Sequence, residues 1–303
     1  MNAMATPSWL RGKALPGVLL ALFAVVVWGA TFTLSKQILL SVPPLLLLLA
    51  RFVVGYLALW AIHPHPLPWQ GWRTEGRFAL MGLLGVTLYF CGENLALVHG
   101  SAGMVSVVVC ISPVLTALLP RLYGRGTPLG RTYWAGFLLA MLGVTLTVSG
   151  GNLATLRGAW LGALLAAGGA LAWAGYTLVS QSLPAKLGRL AITRRTFFWG
   201  LLTMLPLCLS EPAPWSWHAL TAWPTLWRIL TLGLVAGATC YAAWGYAISR
   251  LGPIRTSLLL YLIPLIGVLT AALVLGEPLC ATILLGVTLT LLGVALCAHR
   301  QHA

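Results

Sequence analysis

The sequence predicts an all-α membrane protein, with ten transmembrane helices arranged as two inverted five-helix repeats around a central cavity. Three observations lead there. First, 59% of the 303 residues are hydrophobic and only 7% charged, with a mean hydropathy of +0.93. A soluble globular chain carries about 25% charged residues, so this one has too little polar surface to cover itself in water, and a soluble enzyme is excluded. Second, the apolar residues fall in runs near the roughly 20 residues that cross a bilayer core. Third, the second half of the chain repeats the first.

Taken in order, the runs punctuated by Pro, Gly and charge are residues 16–38, 43–62, 77–98, 101–120, 131–150, 158–180, 193–211, 226–248, 252–275 and 279–298. Links such as Val98 to Ser101 and Ile248 to Gly252 are so short that successive helices must pack as antiparallel hairpins. Residues 1–15 lack a small-residue cleavage site before the first run, which reads as a retained span after a cytoplasmic segment. The six cysteines all fall inside apolar runs without C-x-x-C spacing, and read as small hydrophobes.

Charge sets the orientation. The chain carries 18 Lys and Arg against 4 Asp and Glu. In a soluble protein such a balance would suggest nucleic acid. Here Arg11, Lys13, Arg73, Arg77, Arg121, Arg125, Arg131, Lys186, Arg189, Arg194, Arg195, Arg250, Arg255 and Arg300 all fall on one side if the N-terminus is inside. Only Arg157 and Arg228 fall on the other side. Because cytoplasmic loops collect Lys and Arg, both termini are expected in the cytoplasm of a bacterial inner-membrane protein, with no nucleic-acid partner. Clustered Trp215, Trp217, Trp223 and Trp227 in an outer segment read as an interfacial belt or a short surface helix.

The repeat is visible residue by residue. Trp28 to Lys36 aligns with Trp173 to Gln181 at an offset of 145, and Gly136 to Gly143 with Gly286 to Gly293 at 150. Pro113 aligns with Pro264 at 151. Five spans per half is an odd number, so the second half (158–299) must be inverted relative to the first (16–150). Inverted repeats are a signature of secondary transporters, whose sites lie near the midplane where the repeats meet.

Polar residues inside apolar runs are the candidate site. Glu93, beside Asn94, lies about 24 Å along its helix from the inner end. A carboxylate there usually faces a wet cavity or a partner, as a proton-titrating group or a ligand for an amine. The alternative is a Glu reachable by water at the outer mouth. Arg51, about 12 Å into the second span, is a candidate for a substrate carboxylate or for an ion pair with Glu93. Lys36, near an outer end, can snorkel or touch an anionic group.

Trp28, Tyr89, Trp173, Tyr176, Tyr241, Trp244 and Tyr261 bring large apolar faces with one polar handle, which suits planar or amphipathic ligands. Glu93 and Trp244 are repeat mates, so one pole of the pocket is expected to be polar and the other aromatic. Pro113 and Pro264 are expected hinges, because Pro removes a helix hydrogen bond. Glu277-Pro278 begins the last span, where its carboxylate reads as a cap. No Walker loop, H-E-x-x-H pair or G-x-S-x-G elbow occurs, and neither an enzyme activity nor a cofactor or metal is expected.

These motifs resemble the drug/metabolite transporter superfamily, and within it the ten-span EamA-type exporters. Trp28-Gly29 with Phe32 and Lys36 looks like the family's WG-x-x-F-x-x-x-K pattern, and Arg51-Phe52 like its second-span RF. Ala96-Leu97, Ser101-Ala102-Gly103 and Pro113 look like its AL…SAG…P run. Gly276-Glu277-Pro278-Leu279 with Gly286 and Gly293 resembles its closing motif. The first half departs from the pattern, with Thr127-Pro128 where the second has Glu277-Pro278.

The resemblance implies a central cavity and efflux of small amphipathic metabolites, especially aromatic and neutral amino acids, by alternating access, with protons as the candidate coupling ion. Its subgroup of aromatic amino acid and drug exporters is the most similar. Antiport of phosphorylated metabolites or nucleotide-sugars is a second reading, and passive uniport or channel conduction a third. The oligomeric state is left open.

Overall fold

The computed structural model describes residues 15–122, 130–150, 153–180, 182–183, 187–210, 217–251, 256 and 259–299. Arg11, Lys13, Arg125, Thr127, Lys186, Trp215, Gly252, Arg255 and Arg300 lie outside the described residues. All described elements are helices: α1 (Leu15–Ile38), α2 (Pro44–Ile62), α3 (Trp72–His99), α4 (Ala102–Leu122), α5 (Arg131–Ser149), α6 (Leu153–Ser180), α7 (Arg189–Leu209) and a single turn and a half, α8 (Trp217–Thr221). They continue with α9, built end to end from Trp223–Leu230, Thr231–Thr239 and Cys240–Leu251, then α10 (Leu259–Leu275) and α11 (Ala281–His299).

Seven described helices are long and apolar enough to cross a membrane, and two apolar helices are shorter, so the protein is multi-pass. The expected span at 193–211 is present as α7, which starts at Arg189 and carries Arg194 and Arg195 in its first two turns. That charge keeps it out of the seven. The third expected span begins earlier, at Trp72, because Glu75 in its first turn is buried and partnered rather than left in a loop. The Trp-rich segment does contain a short helix, α8, with no buried residue; Trp217 and Trp223 stand exposed.

Packing is reciprocal between the halves. Helix α1 packs on α9 and α10, while α6, its repeat mate, packs on α3 and α4. Helices α5 and α11 pair most extensively. They run antiparallel, Gly136 meeting Gly293 and Gly143 meeting Gly286. A Cβ on Gly143 would fall 2.4 Å from the Thr290 nitrogen and 2.5 Å from the Gly286 oxygen. Small residues thus let the backbones touch, which is how helices associate where lipid gives no hydrophobic drive. Outward faces carry Leu138, Leu164 and Leu273, as expected of a surface solvated by acyl chains.

Two helices change pitch beside the candidate site. In α3 the stretch Leu83–Leu88 widens to a π-helix just before Tyr89 to Glu93, and in α9 the stretch Thr231–Thr239 widens just before Tyr241. In α9 the Thr239 hydroxyl donates to the Leu234 carbonyl five residues back, at 2.9 Å. Wide turns of this kind often accompany functional sites because they redirect the following side chains.

The expected prolines sit alike. Pro113 and Pro264 are each the second residue of an α-helical stretch, Ser112–Leu122 and Ile263–Leu275. Before Pro113, Cys110 and Ile111 form tight i→i−3 bonds, and the Ser112 hydroxyl donates to the Val109 carbonyl that Pro113 cannot reach. Before Pro264, Leu259–Leu262 form a 3₁₀ turn. Both helices tighten just ahead of the proline, whose missing N–H falls in a first turn, where it is tolerated.

Candidate functional site

Arg51 on α2 and Glu93 on α3 face each other, Nη1 to Oε1, at 3.7 Å. They are 6% and 2% exposed. The distance is too long for a hydrogen bond, and neither of those two atoms has a hydrogen-bond partner in the protein. The Arg51 guanidinium lies 4.3 Å from the Phe90 ring centre and 5.5 Å from that of Phe52. Such stacking on aromatic faces helps hold a desolvated cation. Tyr89, one turn before Glu93, and Tyr241 on α9 lie within electrostatic reach of both charges.

From this pair an unbroken line of rings runs across the bundle. Trp244 touches Trp28 at 5.2 Å between centroids, Trp28 touches Tyr241 at 5.7 Å, and Tyr241 touches Phe197 at 5.5 Å. Phe197 meets Phe52 at 4.9 Å, and Phe52 meets Phe90 at 4.9 Å. Phe90 then meets Tyr89 at 4.6 Å, Tyr89 meets Trp173 at 4.9 Å, and Trp173 meets Tyr176 at 4.9 Å. The Trp28 indole is held by donating to the Ala236 carbonyl at 3.0 Å.

This line has the symmetry of the repeat. The offset of 145 that carries Trp28 onto Trp173 also carries Phe52-x-x-Gly55 onto Phe197-x-x-Gly200, and the offset of 151 carries Phe90 onto Tyr241. Phe52 and Phe197 therefore meet their own mates at the centre. These three phenylalanines were absent from the sequence-derived set, although the repeat offsets, applied to the second and seventh runs, would have found the central two. The symmetry is broken by charge: Arg51 and Glu93 in the first half correspond to Thr196 and Trp244 in the second.

The structure thus joins Trp28, Tyr89, Trp173, Tyr176, Tyr241 and Trp244 to one another and sets Arg51 and Glu93 beside them. It does not bring Tyr261 there, which packs against a separate cluster with Val114, Tyr133 and Val294. Asn94 is turned to α2, its amide donating to the Pro44 carbonyl at 3.0 Å.

Lys36 is also elsewhere. Its ammonium donates to the carbonyls of Leu97 and, at 2.7 Å, Gly100, at the end of α3. Rather than snorkelling to water, it satisfies helix-end acceptors. Glu277 is likewise redirected. It accepts from the backbone amides of Ala102 at 2.7 Å and Gly103 at 3.0 Å, so it caps α4 and not the helix it precedes. Gly276, left-handed at φ 69°, turns the chain so that Glu277 points across the bundle.

The opposite end is basic and partly open. Arg194 binds the His63 and His65 carbonyls and stacks 4.2 Å over Trp60. Buried Glu75 accepts from Arg195 at 2.8 Å and from the Trp199 indole at 2.9 Å. Beside them a cleft of about 250 Å³ is lined by His63, Gly188 to Ala191, Ala242, Tyr246 and Tyr241, the last of which is also part of the ring line. Among the described residues, no three His, Cys, Asp or Glu side chains gather as a metal site.

A helical unit used twice, its copies meeting along a line of rings, is how many membrane carriers are built, and the class is that of a membrane transporter. The EamA-like transporter family model matches the chain twice, over residues 15–149 and 160–298. The chain belongs to the EamA-like transporter family. It is 30% identical to a "probable terminal-alkyne amino-acid exporter" of Streptantibioticus cattleyicolor, over 91% of both chains. It is 28% identical to a "probable amino-acid metabolite efflux pump" of Escherichia coli K12, over 90% of this chain and 92% of that one. A solved crystal structure at 19% identity shares the fold, with a TM-score of 0.66 over 95% of this chain and 99% of the other.

Proposed function

We propose that this protein exports small amphipathic metabolites, aromatic and neutral amino acids foremost, across a bacterial inner membrane by alternating access. Its ten spans form two inverted halves, 16–150 and 158–299, with both termini in the cytoplasm. The observation that carries the reading is the polar pair beside a repeat-related line of aromatic rings, one of which, Tyr241, also borders a cleft at the basic end. Reciprocal packing of the halves and the antiparallel glycine seam of α5 and α11 support the inversion. By the charge count the basic end is cytoplasmic, so the cleft opens to the side from which an exporter loads. The amino-acid names of the two relatives favour the same substrates.

Two nearly equivalent packings of the halves, differing by little free energy, would expose the site to each side in turn. In the arrangement described, the Lys36 and Glu277 contacts tie the helix ends together at the far end. Phosphorylated substrates fit less well. They need converging cations, whereas Arg51 is paired with Glu93 and Lys36 is engaged by carbonyls.

Reconstituted proteoliposomes loaded with radiolabelled amino acids test this reading. Phenylalanine and leucine are expected to cross and glutamate not, while Glu93→Gln is expected to abolish the response to an imposed pH gradient. Equal movement through the mutant would make transport facilitated and Glu93 a structural group. Movement of none of them would refute the amino-acid assignment.

A further inference from the structure

The Arg51 and Glu93 pair is an unusual thing to bury. Both residues are essentially sequestered, yet the facing atoms stand 3.7 Å apart and make no hydrogen bond to the protein. A buried pair built only for stability gains most from close, bidentate geometry with its remaining donors and acceptors satisfied. This one leaves a guanidinium donor and a carboxylate acceptor unused, in a region where unused charge is costly. Around it Phe90 and Phe52 give apolar faces to the guanidinium, Tyr241 stands within electrostatic reach of both charges, and the Tyr89 hydroxyl donates to the Glu93 carboxylate, leaving Oε1 without a partner.

We infer that the pair is the head-group site for a zwitterion, Arg51 taking the carboxylate and Glu93 the ammonium of one α-amino acid. The inference rests on the exporter reading above and deepens it. Opening the pair around a zwitterion replaces one stretched ion pair by two hydrogen-bonded ones. A ligand with a single charge exchanges one pair for another and strands either Arg51 or Glu93, desolvated and alone. Tyr241 borders the cleft and also lies within electrostatic reach of both charges, which places the pair on the cleft's side of the ring line. The ligand's apolar side chain then lies on the ring line. The repeat mates Thr196 and Trp244 carry no charge, so the site selects one orientation of the ligand even though its frame is symmetric.

The test is displacement of radiolabelled L-phenylalanine from the purified full-length protein by phenethylamine and by 3-phenylpropionate. Each analogue keeps the ring and drops one charge. Both are expected to compete at least about 100-fold more weakly than unlabelled L-phenylalanine, because a site built for two polar groups rejects ligands lacking one. In Arg51→Gln the amine is expected to compete as well as phenylalanine, and in Glu93→Gln the acid. A merely structural pair would not produce that reciprocal change. The wild-type competition decides the matter even where a variant does not fold.

Competition by either analogue within threefold of phenylalanine overturns the zwitterion assignment. If labelled phenylalanine still moves in proteoliposomes, the exporter reading survives that failure. Absence of both phenylalanine binding and phenylalanine movement overturns the exporter reading, and the zwitterion assignment with it.

Discussion

Replacing Glu277 by alanine removes the carboxylate that holds the start of α4. The two amides it accepts from belong to Ala102 and Gly103, at 2.7 and 3.0 Å, and both residues are buried. Water cannot take over, so each amide is left unsatisfied. A hydrogen bond to a charged group contributes about 1.5–3 kcal/mol, and a stranded buried donor costs about 1–3 kcal/mol. Glu277 itself is only half-buried, which places each bond at the low end.

The cap also sits on the positive end of the α4 helix dipole, an effect that falls off within one turn. Together these make a loss of about 3 kcal/mol for Glu277→Ala, and about half that for Glu277→Gln, whose neutral amide oxygen still accepts. Unfolding in mixed dodecyl maltoside and SDS micelles, followed by tryptophan fluorescence, measures both. Pro278→Ala, at an exposed neighbour, is the control and is expected to change little. A Glu277→Ala protein within about 0.5 kcal/mol of the wild type, the range of an ordinary surface change, would refute the capping role.

Other perturbations follow from the same contacts. Gly143→Ala places a Cβ 2.4 Å from a backbone nitrogen of α11, so the helices must separate. It should destabilise by about 1–3 kcal/mol or more in the same assay. Gly168→Ala meets nothing within 4 Å and should be neutral, and equal effects of the two would refute a close α5–α11 seam. Glu75→Gln breaks the charged bonds to Arg195 and Trp199, with an expected loss of about 2–4 kcal/mol for the two bonds. Arg195→Gln should cost less on top of it than alone, and full additivity in that double-mutant cycle would refute the pairing.

Much of this protein was legible along the chain. Hydropathy and length are local sums, so the membrane class and most spans could be read without any partner. The repeat offsets, read along the chain alone, carried Trp28 to Trp173 and Glu93 to Trp244, while Arg51 and the other aromatic residues stood out by residue type and depth in a span. What the chain could not say is which face of each helix meets which neighbour. In a membrane helix the lipid side and the packed side are both apolar, so no amphipathic stripe marks the inward face. α1, for instance, buries Val25 and exposes Val26 within one apolar run.

Partners of long side chains were therefore decided only in three dimensions. Glu277 reads as a cap for the helix that follows it, yet it crosses to α4 because the left-handed Gly276 turns it there. Lys36 reads as an interfacial or anion-facing cation, yet it is consumed by the last carbonyls of α3. Tyr261 has the right residue type and the wrong place. The meeting of Phe52 with its own mate Phe197 needed the two halves to be folded onto each other. Local sequence determined what each segment is made of and that it belongs in a bilayer. Tertiary packing decided which charges and rings meet, because the deciding contacts, Arg51 with Glu93 and Phe52 with Phe197 among them, join different helices and no local pattern encodes their pairing.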